Sequence, residues 1–290
     1  MRRLPSVFII QGPLRVMRWL PLSWLHFLGA GLGWIMVRRS SKKNAIIKRN
    51  LSIAFPNKTT TELAALHSQT TRSVGCFLFE TGLVWHGSQE QIRRCILSIK
   101  GWDSLEHAKA SRHGILLVGA HLGNWEILNL YLMMELKVSG LYRAPSDPSL
   151  DYAVRKARER FGGHLIPSGS QGMRHLLRTL KEGGVAGIIA DQQPKFGEGV
   201  MAPFYGESAM TMTLIHRLVE RTQARVFMAS CYRVPYKGFK IQIDPMPEEL
   251  GDLEQERAAC VLNTSIEHAI DRHPEQYLWR YRRFPDHLYE

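Results

Sequence analysis

Two patterns of apolar residues alternate along the C-terminal two-thirds of the chain. Short unbroken apolar runs are typical of strands buried on both faces, and apolar residues spaced three or four apart are typical of amphipathic helices. The predicted strands span residues 114–119, 139–143, 163–166, 184–190, 225–232 and 239–243, and the predicted helices span 124–136, 149–161, 170–182, 209–222 and 252–272. This alternation predicts an α/β fold with a mainly parallel central sheet flanked by helices.

The N-terminal part of the chain is predicted to be helical. Lys42 to Phe55 has the pattern of a basic amphipathic helix that stops before Pro56, and a longer helical stretch follows from Thr59 to Trp85. Residues 89–110 are predicted to be helical in two pieces. We therefore divide the chain into a membrane anchor (1–40), a helical N-terminal region that is part of the main domain (41–112) and an α/β core (113–290).

The membrane anchor is predicted from one apolar run, Trp19 to Val37, whose single titratable side chain is that of His26. As a helix rising ~1.5 Å per residue it would be about 28 Å long, which is close to the thickness of bilayer hydrocarbon. Tryptophans lie near its ends and cations flank both sides, so the run predicts a membrane-anchoring helix that either spans the bilayer or lies in its interface. A buried helix of a soluble domain is the alternative. Gly29 and Gly33 could pack against a neighbouring helix.

Charge and cysteine content narrow the possible partners. The formal net charge is +12, but residues 1–61 hold 11 Lys/Arg and no Asp/Glu, whereas the other 229 residues hold 27 Lys/Arg against 26 Asp/Glu. A basic N-terminal segment beside an apolar helix favours an anionic membrane surface over nucleic acid, and the near-neutral remainder argues against nucleic-acid binding. The four cysteines are scattered without a Cys-x-x-Cys pair and are expected to be reduced thiols.

The clearest candidate for chemistry is the segment His121 to Glu126, which joins the predicted strand 114–119 to the helix that follows. At a glycine-containing turn the imidazole of His121 and the carboxylate of Glu126 can converge. We expect Glu126 to fix the imidazole tautomer and to leave the other ring nitrogen free as a general base. Asn124 could cap the helix. Alternatively, His121 and Glu126 form a purely structural pair.

Further candidates lie at the ends of other predicted elements. Asp191 and Gln192 follow the strand 184–190, Arg143 ends the strand 139–143, and Arg160 ends the next helix. In parallel sheets, ligands bind at the carboxyl ends of strands, so these side chains could contact a substrate. Alternatively, Asp191 forms a turn or caps a helix, and each arginine is a solvated surface charge. Two other arginines, 155 and 158, are expected at the surface.

Seven ordered motifs make the chain resemble the late acyltransferases of lipid A biosynthesis, the lauroyl/myristoyl transferase family within the glycerolipid-type acyltransferase superfamily. The motifs are Arg49-Asn50-Leu51 with Phe55-Pro56, Gly119 to Glu126, Tyr142-Arg143, Arg160 with Gly162-Gly163, Asp191-Gln192, Pro203 to Gly206, and Gln276 to Trp279 with Arg282-Arg283-Phe284. The last motif, with Arg280, could touch lipid headgroups or an acidic carrier, or form a packed C-terminal tail.

The resemblance implies a fatty acyl transfer from the thioester of acyl carrier protein to a hydroxyl of a lipid A precursor, with no cofactor and no metal. It implies His121 and Glu126 as catalytic residues, and substrate contacts from Asn124, Arg143, Arg160, Asp191 and Gln192. The acceptor hydroxyl would be the nucleophile, which agrees with the lack of a Gly-x-Ser-x-Gly motif. The implied location is the bacterial inner membrane, with the catalytic domain on its cytoplasmic side. The alternative is an acyltransferase for another acceptor, such as a lysophospholipid.

Overall fold

The computed structural model of the protein describes residues 6–290, so the first five residues of the predicted anchor 1–40 lie outside the described residues. The helices are α1 (Ser6–Met17), α2 (Leu22–Arg38), α3 (Lys42–Ala54), α4 (Thr60–His86), α5 (Gln89–Cys95), α6 (Trp102–Ala110), α7 (Trp125–Leu136), α8 (Pro148–Glu159), α9 (Ser170–Lys181), α10 (Leu214–Thr222) and α11 (Gln255–Asp271). The strands are β1 (Ile96–Lys100), β2 (Ile115–Gly119), β3 (Ser139–Tyr142), β4 (His164–Pro167), β5 (Val185–Ile189), β6 (Gly199–Phe204), β7 (Glu207–Met212), β8 (Arg225–Val234) and β9 (Gly238–Pro245).

The main sheet has seven strands in the order β1-β9-β8-β2-β5-β3-β4. Strands β8, β2, β5, β3 and β4 run parallel to one another, and β9 pairs antiparallel with β8 and parallel with β1. The predicted α/β class and the mainly parallel central sheet are therefore confirmed. The order places the carboxyl ends of β2 and β5 side by side, which decides the geometry of the site described below.

Helices cover both faces of this sheet, which explains why the sequence of the central strand β2 is apolar without alternation. Leu116 and Val118 pack into a core cluster with residues of α9, α10 and α11, whereas Ile115 and Leu117 pack into a second cluster with α4, α6 and α7. All five residues of β2 are buried. A strand buried on both faces has no solvent-facing position, so a continuous apolar run is the expected pattern.

The N-terminal apolar segment packs on the long helix α4 instead of standing alone. A Cβ added at Gly29 would lie 2.5 Å from Cys76 Cα, and one added at Gly33 would lie 2.7 Å from the Arg72 nitrogen. The backbones of α2 and α4 therefore touch through small residues, as the glycine spacing predicts. Within residues 6–290 no helix has both the length and the apolar character that crossing a membrane requires. The predicted run is interrupted, because α2 begins only after Pro21 and has 17 residues.

Two predicted elements need correction. Residues 89–110 do contain two helices, but β1 lies between them and forms the edge of the sheet. The segment 209–222 is not one helix, because residues up to Met212 form β7 of an antiparallel β6–β7 hairpin and α10 begins at Leu214. Both residues of the hairpin turn, Tyr205 and Gly206, have positive φ (51° and 79°), as two-residue hairpins favour.

The C-terminal segment is mostly a packed tail. Trp279, Arg283 and Phe284 are buried. The side-chain amide of Asn50 donates hydrogen bonds to the carbonyl oxygens of Trp279 (2.6 Å) and Tyr281 (2.7 Å), which attaches the tail to α3.

Candidate active site

The loop between β2 and α7 forms the centre of the site and is fixed by neighbouring segments. Gly123 has φ of +60°, and a Cβ there would collide with the carbonyl oxygen of Cys231, so only glycine fits. Its N–H donates to the carbonyl of Gln276 (2.9 Å), and the carbonyl of His121 accepts from the N–H of Leu278 (2.9 Å). Asn124 Oδ1 caps α7 by accepting from the N–H of Ile127 (2.9 Å), as predicted.

His121 is oriented by Asp191, which follows the neighbouring strand β5. Its Nδ1 lies 2.8 Å from Asp191 Oδ1, and its backbone N–H donates to Asp191 Oδ2 at 3.0 Å. Because an ionised carboxylate only accepts hydrogen bonds, Nδ1 carries the proton and Nε2 is left as the free base. The sequence-based expectation that Glu126 fixes the tautomer is therefore wrong about the partner. Parallel neighbours bring residues 121 and 191 together although 70 positions separate them.

The electrostatics of this pair favour a basic imidazole beside an ionised carboxylate. Burial acts to lower the pKa of His121, but the charge and hydrogen bond of Asp191, followed by the charge of Glu126, raise it above its usual value. Burial acts to raise the pKa of Asp191, but the contacts with His121 lower it. The imidazole side chain is 20% exposed and the carboxylate 3%, so the ring can reach a ligand while its partner stays shielded from water.

Glu126 contributes a second ion pair to the site. Its carboxylate accepts from Arg158 Nε at 2.9 Å, and the other oxygen binds the terminal nitrogen Nη2 of the same guanidinium. The two side chains are 13% and 25% exposed and both face one cavity. Burial acts to lower the pKa of Arg158, but Glu126 raises it, so the guanidinium stays charged. Arg158, expected at the surface, therefore belongs to the site.

A cavity of about 560 Å³ opens beside these groups. Its inner wall is apolar and comes from the sheet, α7 and α8, and its polar rim is at the carboxyl ends of the strands. The apolar lining includes Leu117, Leu128, Leu132, Val138, Leu141, Val154, Leu165, Ile188 and Ala229. Glycines 140 and 187 face the same space and leave it open. A flexible apolar chain fits such a lining, with its polar end at the rim.

The structure separates the other predicted site residues into two groups. Arg143 and Gln192 line the cavity together with His121 and Glu126. Asn124 and Arg160 do not. Asn124 is fully buried, and its amide nitrogen donates to Glu80 Oε2 at 2.7 Å. Arg160 donates to the carbonyl oxygens of Ala157 and Gly87, and burial lowers its pKa to about 10.

Glu80 is a supporting residue of the site that sequence reasoning missed. It is fully buried on α4 and forms a paired hydrogen bond with the Arg233 guanidinium, while His26 Nε2 lies 2.8 Å from its Oε1. Burial acts to raise the pKa of Glu80, but Arg233 and His26 lower it to about 2. Through Asn124 this carboxylate supports the loop that carries His121. A single glutamate on a helical segment gives no sequence signal of such a role.

The aromatic ring of Trp125 packs edge-on against His121, with ring centroids 4.9 Å apart, and stacks on Phe77 at 4.1 Å.

The arrangement as a whole combines an oriented base, a fixed guanidinium and an apolar cavity. Ser168 lines the cavity, but it makes no hydrogen bond to the imidazole in the part of the chain that the structure describes. The geometry therefore suits activation of a ligand hydroxyl beside an apolar chain.

Comparison with known proteins gives consistent results. Residues 2–285 match the sequence profile described as bacterial lipid A biosynthesis acyltransferase. The chain is 29% identical over 268 residues to the lipid A biosynthesis lauroyltransferase of Escherichia coli K12, covering 91% of this chain and 86% of that protein. It is 27% identical over 267 residues to the palmitoleoyltransferase of the same strain, with the same coverage. The myristoyltransferase of that strain is 22% identical over 245 residues, which cover 83% of this chain and 74% of that protein.

Proposed function

The chain belongs to the bacterial lipid A biosynthesis acyltransferase family, and from this premise we propose how it transfers an acyl chain. The donor is a fatty acyl thioester of acyl carrier protein, and the acceptor is a hydroxyl of a lipid A precursor. The observation that carries this proposal is the Asp191–His121 pair at the mouth of an apolar cavity. A base and a chain-binding space are the two requirements of such a transfer.

In the proposed reaction His121 Nε2 accepts the proton of the acceptor hydroxyl while the hydroxyl oxygen attacks the thioester carbonyl. Asp191 holds the ring in the required tautomer and stabilises the imidazolium that forms. A tetrahedral intermediate then breaks its C–S bond, the ester remains on the acceptor, and the imidazolium returns the proton to the leaving thiolate. The attacking oxygen comes from the acceptor, so no acyl-enzyme forms.

Glu126 is a positioning residue in this proposal, because it acts through Arg158. The carboxylate holds the guanidinium at the cavity wall, where a fixed cation can stabilise negative charge on the carbonyl oxygen in the transition state. The charge of Glu126 also helps to raise the pKa of His121. Arg143 and Gln192, at the rim of the same cavity, are assigned to substrate contact.

We place the enzyme at the cytoplasmic face of the inner membrane through the outer surface of α2. That surface exposes Trp24 (58%), Phe27 (64%) and Trp34 (48%), next to the cations Arg38 and Arg39. Aromatic side chains with neighbouring cations suit a helix that lies in the membrane interface. Replacing the three aromatics by serine should lower binding of the full chain to anionic phospholipid vesicles. Unchanged binding would contradict this attachment.

The test of the reaction uses full-length protein with acyl carrier protein and coenzyme A thioesters as donors and with a lipid A precursor and a lysophospholipid as acceptors. Mass spectrometry should detect acylated lipid A precursor, made preferentially from the carrier-protein thioester. His121→Ala should abolish the product, whereas His164→Ala, a change at an exposed position of β4, should not. Near-normal turnover by folded His121→Ala would refute the mechanism, and preference for the lysophospholipid would refute the acceptor.

A further inference from the structure

A second cavity of about 360 Å³ adjoins the first on the other side of Trp125. Trp125 and Gln192 line both cavities, and Phe77, which stacks on Trp125, lines the second. The second cavity therefore borders Trp125, whose ring centroid is 4.9 Å from that of His121. The mechanism proposed above leaves this space unused.

The charge of the second cavity is entirely positive. Lys43 at the start of α3 and Arg280 of the C-terminal tail line it, and no lining residue is acidic. Neither cation forms a salt bridge with a residue that the structure describes. Arg280 is also half-buried. In the first cavity the half-buried guanidinium of Arg158 already has a carboxylate partner, whereas Arg143, which forms no salt bridge with a described residue, is exposed.

The remaining lining combines hydroxyl groups with apolar surface. Ser73 and Tyr281 offer hydroxyls, and α4 contributes Val74 and Leu78, of which Leu78 is 44% exposed. Hydrogen-bonding groups and two cations without a described carboxylate partner, beside apolar side chains, match an amphiphile with an anionic headgroup. An arginine that has no protein partner can bind a phosphate through two parallel hydrogen bonds.

We infer that the second cavity binds the anionic, phosphate-bearing headgroup of the acceptor lipid, with Arg280 and Lys43 as its ligands. This inference rests on the proposed function, because it assigns the acyl chain of the donor to the first cavity. The two substrates then approach the imidazole from opposite sides of Trp125. The acceptor hydroxyl passes the edge of this ring to reach Nε2, and Gln192 contacts both substrates.

The test measures KM for each substrate with the full-length enzyme and compares Arg280→Ala, Lys43→Ala and the double variant. Loss of a charged hydrogen-bonding partner should raise the acceptor KM at least about tenfold in Arg280→Ala, with the donor KM unchanged. The same acceptor after phosphatase treatment should be used equally by wild type and variant. Arg94→Ala is the matched control, because that arginine is exposed, pairs with Glu90 at 2.5 Å and lies outside the cavity.

Each outcome decides the inference. An acceptor KM that is unchanged in the double variant would overturn it, as would an equal loss with the phosphatase-treated acceptor. A rise confined to the donor KM would show that the cations bind the acidic carrier protein instead. If wild type transfers no acyl chain to the lipid A precursor, the proposed function fails. This result differs from that of an active enzyme whose acceptor KM does not depend on residues 43 and 280.

Discussion

Replacing Asp191 by asparagine tests the hydrogen bonds that prepare the imidazole. Asp191 accepts two hydrogen bonds from one residue, from the backbone N–H of His121 at 3.0 Å and from Nδ1 at 2.8 Å. An asparagine offers one oxygen and one NH2 group. If its oxygen keeps the backbone N–H, its NH2 faces Nδ1 and forces the ring proton onto Nε2. The base would then be protonated at the position that must accept the proton.

The expected loss in kcat is large because the change removes both a charge and the correct tautomer. General-base catalysis contributes ~10²–10⁴ in rate, and the corresponding change in a serine protease triad lowers kcat about 10⁴-fold. We therefore expect kcat of Asp191→Asn to fall by about 10³-fold, with a much smaller change in the acceptor KM. Since Asp191 raises the pKa of His121, residual activity should also extend to lower pH.

The assay is single-turnover acyl transfer at saturating acceptor, followed across pH, with thermal unfolding to confirm the fold. Asp271→Asn is a matched control, because this carboxylate is exposed, does not line the cavity and accepts a hydrogen bond from the Tyr205 hydroxyl at 2.7 Å. Retention of more than about a tenth of wild-type kcat by folded Asp191→Asn would refute the assigned orientation of the imidazole.

Three further predictions follow from the site and its support. Wild-type kcat/KM should rise with pH through a pKa above the usual ~6.5 of histidine, because the raised pKa of His121 must be passed before the ring is neutral; an acidic limb centred below that value would contradict the assignment. Glu80→Ala should lower the free energy of unfolding by about 3–5 kcal/mol, since it leaves Arg233 charged, buried and without its partner; a loss below about 1 kcal/mol in urea unfolding would contradict this. Gly187→Val should shift product chains to shorter lengths in mass spectrometry with mixed donors, because even a Cβ there lies 3.0 Å from Val138 Cγ1 in the cavity wall; an unchanged product distribution would show that the chain lies elsewhere.

The sequence was informative about the sheet because its central strands are buried on both faces and are therefore continuously apolar. It was less informative where an element is exposed on one side. The edge strand β1 is partly exposed along its whole length, so its pattern merges with the flanking helices. The strand β7 has mixed polar composition and joins directly to α10, which gives the pair a helical appearance over 209–222.

The site shows a different limit of prediction. His121 and Asp191 were both expected at carboxyl ends of strands, yet the order of strands in the sheet cannot be read from local patterns. Only this order puts β5 beside β2 and so brings the carboxylate of Asp191 to the imidazole of His121. Proximity along the chain favoured Glu126, but that side chain points to Arg158 on α8. Ion pairs between elements that are far apart in the sequence leave no spacing signal, so the roles of Arg158 and Glu80 were found only in the structure.

The contact between α2 and α4 has a practical consequence for anyone who wishes to remove the apolar N terminus to ease purification. Cutting before Arg39 would strip a folded layer from α4 and expose the glycine-lined backbone around Gly75 to water. It would also take His26 away from Glu80 and so weaken the support of the loop that carries His121. The shortened protein should therefore aggregate or lose turnover, and milder replacement of outward-facing aromatics is the safer route to a detergent-free sample.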